Sequence, residues 1–137
     1  MSKIPELYTY RDEVLKIIDG DSVRLSVDAG FGITLKNQSC RISAIDTPES
    51  RLNVKRYPER AKEKELGLKA KARLKELLEG EVILHCLKRD KYGRLLGVLY
   101  AEGENVGETL VKEGLACPYE GGTKTAKVRE DGTWGEK

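Results

Sequence analysis

The chain is poor in the residues that announce several common functions. Its 137 residues include three cysteines, one histidine, one tryptophan, one phenylalanine and six tyrosines. Cys40, Cys86 and Cys117 stand far apart with no C-x-x-C pair, and the lone His85 cannot complete a zinc site. The cysteines therefore read as buried thiols of a reducing compartment, and His85 as structural. So few aromatic rings argue against a surface that holds single strands by base stacking. Strong net charge is missing too: 25 lysines and arginines against 23 acids leave +2, so no bulk field announces a polyanionic partner. No stretch approaches the ~20 apolar residues that span a bilayer, and "MSKIPELYTYRDEV" has no apolar run of leader length. We expect a cytoplasmic protein without a membrane partner, or a secreted one if a leader was removed.

What is present suits one domain, residues 1–137, with 1–11 and 120–137 as less regular tails. "EVLKIIDGDSVRLSV" reads as two strands joined by a tight turn at Asp19-Gly20-Asp21. "AGFGITLKNQSCRISAID" adds a glycine-marked turn and one or two further strands. Leu66, Ala70, Leu74, Leu77 and Leu78 recur at helical spacing, in a helix that Pro58 can open and Gly80 can close. "EVILHCLKRD" and "RLLGVLYA" read as two more strands, and "NVGETLVKEG" as a short amphipathic helix ending at Gly114. The predicted class is α+β, a five-stranded barrel of the OB type with two or three helices packed outside.

Three polar groups stand at strand ends or turns: "DGDS" at 19–22, "RISAIDTPE" at 41–49 and "DKYGR" at 90–94. Any one alone is an ordinary turn with solvated charges. Together they pair acids, which with neighbouring carbonyls suit a hard cation such as calcium, with arginines, whose planar fork suits phosphate oxygens. That combination points to metal-assisted phosphate chemistry.

In order and spacing, with "VKEGLA" after them, these motifs resemble the staphylococcal nuclease (thermonuclease) family over roughly residues 12–119. The resemblance implies an OB-fold barrel carrying a Ca2+-dependent phosphodiesterase that acts on DNA or RNA. It implies that Asp21 and Asp46 bind the metal with the Thr47 carbonyl, supported by Asp19. Glu49 would activate water, and Arg41 and Arg94 would hold the phosphate and stabilise its growing charge. Lys91, Tyr92 and Tyr119 would contact substrate, and a monomer without obligate protein partner is expected. Three departures stand out: Ser22 replaces the usual threonine, Gly107 stands where asparagine is common, and no long C-terminal helix is evident. The alternative is a related binding module, which keeps the barrel and loses the acids and arginines of the site. Keeping Asp21, Arg41, Asp46, Glu49 and Arg94 together favours the enzyme.

Overall fold

The computed structural model describes residues 7–122 and 124–136. Strand β1 (Thr9–Asp19) turns through Gly20 and Asp21 into β2 (Ser22–Gly30), which turns at Phe31-Gly32 into β3 (Ile33–Ile42). A two-residue strand β4 (Ile45–Asp46) follows, then a 3-10 turn at Pro58–Arg60 and helix α1 (Ala61–Leu77). Strands β5 (Val82–Arg89), β6 (Leu95–Ala101) and β7 (Glu104–Asn105) lead into helix α2 (Val106–Lys112). Three short strands end the chain: β8 (Cys117–Pro118), β9 (Lys127–Val128) and β10 (Trp134–Gly135). The main sheet runs β3-β2-β1-β5-β6, with β7 at its end. A parallel pairing of β3 with β6, over Cys40–Ile42 and Leu95–Gly97, closes these five strands into a barrel.

Alternation explains the walls. Val23, Leu25 and Val27 on β2 and Leu95, Leu99 and Ala101 on β6 point inward, while their neighbours reach the surface. Burying each large aliphatic chain contributes about 2 kcal/mol. Helix α1 closes one side with Leu66, Gly67, Ala70 and Leu74 buried. It starts after Pro58 without a side-chain cap and ends at Leu77, three residues before Gly80. Asn105 caps α2 by accepting the Glu108 N–H at 3.2 Å, and Gly114 follows the helix with φ +76°.

Parts of both expected tails are regular among the described residues, while residues 1–6, 123 and 137 of those tails lie outside them. Strand β1 begins at Thr9, and the stretch after residue 119, irregular at first, ends in the β9–β10 hairpin. That hairpin docks through Trp134, buried against Leu66 and Cys117, with its N–H bonded to the Gly114 carbonyl at 2.8 Å. One aromatic ring supplies the burial that a two-residue ladder lacks, and such a contact leaves no periodic signal. All three cysteines are buried and unbridged, as the sequence predicts. Among the described residues no helix is long and apolar enough to cross a membrane.

Candidate active site

Register brings the first acid to the first arginine. Ser22 pairs with Arg41 across β2 and β3, and the Ile42 N–H bonds the Asp21 carbonyl at 2.8 Å. The turn carrying Asp21 therefore lies against the end of β3. Beyond Ile42 the chain bends sharply at Ala44, whose φ of +68° is unusual for a residue with a Cβ and costs about 1 kcal/mol. The bend sets β4 against β8, where Asp46 pairs with Cys117.

Arg41 is the hub. Its Nη1 lies 3.1 Å from Asp21 Oδ2 and donates to the Ile42 carbonyl at 2.9 Å, while Nη2 donates to the Ile45 carbonyl at 2.8 Å. Asp21 Oδ2 also accepts the Thr47 N–H at 3.3 Å. The guanidinium thus clamps both ends of the bend that delivers Asp46 and Thr47. With five N–H donors, Arg41 retains some for a ligand. Asp21, Arg41, Asp46 and Thr47 are all buried.

Asp19 ties down the next loop. It accepts a short hydrogen bond from the Ser50 hydroxyl, and its Oδ2 sits 2.9 Å from Arg51 Nη2. Glu49 stays half-exposed, 3.9 Å from the same Arg51, with its N–H donated to Glu63 on α1 at 3.4 Å. Burial, then the charge of Asp19, push the Glu49 carboxyl above its ordinary value, against the opposing pull of Arg51. A raised value suits a group that must accept a proton.

The helix behind this loop must touch it closely. A Cβ on Gly67 would sit 2.6 Å from the Glu49 carbonyl oxygen and 2.9 Å from that of Pro48. A Cβ on Gly20 would meet Ala70 at 2.8 Å and Thr47 at 3.1 Å. Both turns that carry acids therefore rest directly on α1, and only glycine permits that approach.

The third motif forms a separate arm. Arg94 Nε binds Asp90 Oδ2 at 2.8 Å, and Lys91 and Arg94 flank the exposed Tyr92 ring at 5.2 and 5.5 Å. Closure of the barrel pairs Leu95 with Cys40 and Leu96 with Arg41, which carries this turn to the end of β3. The contacts of Arg94 stay within its own turn and none reaches Asp21, Asp46 or Glu49 among the described residues. Tyr119 is anchored by its N–H to the Ala44 carbonyl at 2.9 Å, and its hydroxyl donates to the Gly122 carbonyl at 2.6 Å.

Three residues of this arrangement escape a motif reading: Ser50, Gly67 and Lys124. Ser50 adjoins "RISAIDTPE" and could have been drawn in by position alone, whereas Arg51 beside it belongs to the basic run "SRLNVKRY", which suits a polynucleotide backbone, and is paired here with Asp19. Gly67, in mid-helix, carries the weak signal of a glycine where helices disfavour one. Lys124 carries none, yet its Nζ lies 3.2 Å from Asp46 Oδ1.

The residues fit a hard cation in donor chemistry. Asp21 and Asp46 offer only oxygen, the Thr47 hydroxyl oxygen is buried without a partner, and a cationic ammonium already stands at Asp46. Among the described residues no three His, Cys, Asp or Glu side chains converge as a ready-made cage. Backbone carbonyls and water would have to complete the coordination sphere.

The sequence profile described as "Staphylococcal nuclease homologue" matches residues 39–132, well over half of the chain. This chain belongs to that family. The matched stretch includes Arg41, Asp46, Glu49, Arg94 and Lys124, and begins after Asp21. Similar proteins include "Endonuclease YncB" of Bacillus subtilis (strain 168), 38% identical over 117 residues, covering 80% of this chain and 49% of the relative. A second from the same organism, "SPbeta prophage-derived endonuclease YokF", is 37% identical over 117 residues, covering 80% and 35%. "Staphylococcal-like nuclease CAN1" of Arabidopsis thaliana is 30% identical over 126 residues, covering 88% and 34%. The chain spans half or less of the length of these relatives. The five-stranded closed barrel with α1 and α2 outside it is the α+β OB-type fold that the family resemblance implies.

Proposed function

We propose that this domain is a nuclease that hydrolyses phosphodiester bonds in DNA, with RNA as a second substrate, and cuts within the strand. One observation carries the reading: the Asp21 carboxylate joins Arg41 and the Thr47 backbone, so the acid of one motif and the arginine and backbone of another share one buried network. The endonuclease names of two relatives support it.

Asp21, Asp46 and the Thr47 carbonyl would hold calcium, which supplies positive charge to a bound phosphate when present. Glu49 takes a proton from the attacking water as the water oxygen bonds to phosphorus, and the bond to the leaving oxygen breaks with its electron pair staying on that oxygen, which takes a proton from solvent. Free N–H groups of Arg41 donate to the phosphate oxygens as charge grows on them, with Arg94 as the second donor from its arm. Lys91, Tyr92 and Tyr119 contact the neighbouring chain, using cation and ring surfaces that suit a flexible polynucleotide. Asp19 acts through Ser50 and Arg51, holding the loop that presents Glu49. The domain needs no second copy for these roles, and a monomer is our reading.

Digestion of plasmid DNA, single-stranded DNA and RNA with calcium, with magnesium and with chelator tests this directly. Cleavage with calcium that chelator abolishes is the expected result. Binding without cleavage in any divalent ion would replace the enzyme by a binding module.

A further inference from the structure

Asp46 is almost entirely buried, yet among the described residues one cation lies within ion-pairing distance of it: the ammonium of Lys124, 3.2 Å from Oδ1. Lys124 is far from the motifs in sequence, and its own side chain is more than half exposed. It is also held from below, since its Nζ lies 5.6 Å from the centre of the Tyr119 ring. Tyr119 in turn is pinned to the bend that carries Asp46 through the Ala44 carbonyl. A buried carboxylate is costly without a counter-charge, so this contact differs from an ordinary surface pair.

We propose that Lys124 is the resident counter-ion of Asp46 in the metal-free protein, and that it becomes a phosphate contact once a divalent cation takes its place. The proposal rests on the metal reading given above and adds a residue that no motif contains. Lysine suits both tasks, because its ammonium is a compact charge with three donors on a flexible four-carbon stem. The ammonium would be repelled by a divalent ion held at Asp46. Phosphate oxygens of a bound polynucleotide offer the displaced charge a new partner, and the Tyr119 ring keeps it nearby. Metal and lysine therefore compete for one carboxylate, whereas lysine and substrate attract.

Opposite signs from one substitution provide the test. Lys124→Met removes the charge and keeps most of the apolar stem; Lys124→Arg keeps a cation. Calcium binding is measured by isothermal titration calorimetry on the folded proteins without nucleic acid. DNA binding is measured in calcium by anisotropy of a labelled oligonucleotide, in a Glu49→Gln background that slows cleavage, with intact oligonucleotide verified after each reading. Lys124→Met should bind calcium about two- to fivefold more tightly, as expected when a partly exposed competing ion pair is lost. It should bind DNA more weakly, with a salt dependence reduced by about one phosphate contact. Lys124→Arg should resemble the parent in both. Equal calcium affinity in parent and Lys124→Met would overturn the counter-ion role, and unchanged DNA affinity would overturn the phosphate role. No calcium binding in either protein would overturn the metal reading itself, and this inference with it.

Discussion

Asp12 sits on β1 with both carboxylate oxygens buried and without a hydrogen-bond partner. Burial pushes its carboxyl from 3.8 to about 7. The folded protein therefore keeps a proton that the unfolded chain has already released. Below about pH 3.8 both states are protonated and Asp12 adds no pH dependence; between 3.8 and about 7 stability falls as pH rises; above that the cost is complete. At about 1.4 kcal/mol for each pH unit, ionisation inside the fold costs at most about 4 kcal/mol. The residue as a whole is only half-buried, and solvent screening lowers the expected cost to about 2 kcal/mol. Asp12→Asn keeps the shape and removes the charge. Urea denaturation of both proteins from pH 4 to pH 8 should show their stability difference growing by about 2 kcal/mol in favour of the variant, or ~7 °C in melting temperature for a domain of this size. Comparing the two cancels Glu49, whose raised carboxyl shifts stability in the same direction. Parallel pH profiles would refute the reasoning and mean that Asp12 is paired or well solvated.

Three further outcomes follow from the site. Arg41→Lys keeps the charge but cannot reach Asp21 and the Ile42 and Ile45 carbonyls at once; turnover should fall by ~2 to 4 kcal/mol of transition-state stabilisation, checked by steady-state kinetics. Glu49→Gln should lower the single-turnover rate by at least about 100-fold while leaving DNA affinity near the parent value, because proton acceptance matters only as the bond forms. Gly67→Ala pushes a methyl into the Pro48 and Glu49 backbone; a loss of about 1 to 3 kcal/mol in stability should accompany reduced turnover, read by denaturation and kinetics on one preparation.

Local chemistry made much of the barrel legible. The apolar alternation of Val23, Leu25 and Val27, the Asp19-Gly20-Asp21 turn and the spacing of Leu66, Ala70 and Leu74 each express a short-range rule. The same holds for Arg41 through Glu49, where one strand and one bend carry most of the proposed chemistry. Long-range partners were hidden for a physical reason. Asp19 meets Arg51 across 32 residues, and Lys124 meets Asp46 only because Trp134 and Tyr119 dock the tail. Those contacts follow from three-dimensional closure and have no period in the chain. Gly67 lies between these cases: a mid-helix glycine signals close approach, but only the folded helix shows that the neighbour is the Glu49 backbone.

On the proposed reading, the charges of the site would make metal and substrate reinforce each other. Asp21 is paired with Arg41, Asp46 with Lys124, and Asp19 with Arg51, which also approaches Glu49. Four acids against three cations leave one net negative charge. A divalent cation turns that into one net positive charge, which by itself opposes tight metal binding. A phosphodiester then restores neutrality, so each ligand removes the excess charge that penalises the other. Coupling of this kind is reciprocal: DNA should tighten calcium by the same factor that calcium tightens DNA. The near-neutral balance of the chain as a whole is thus repeated among these side chains, and on the proposed reading their charge would be complete only with metal and phosphate both bound.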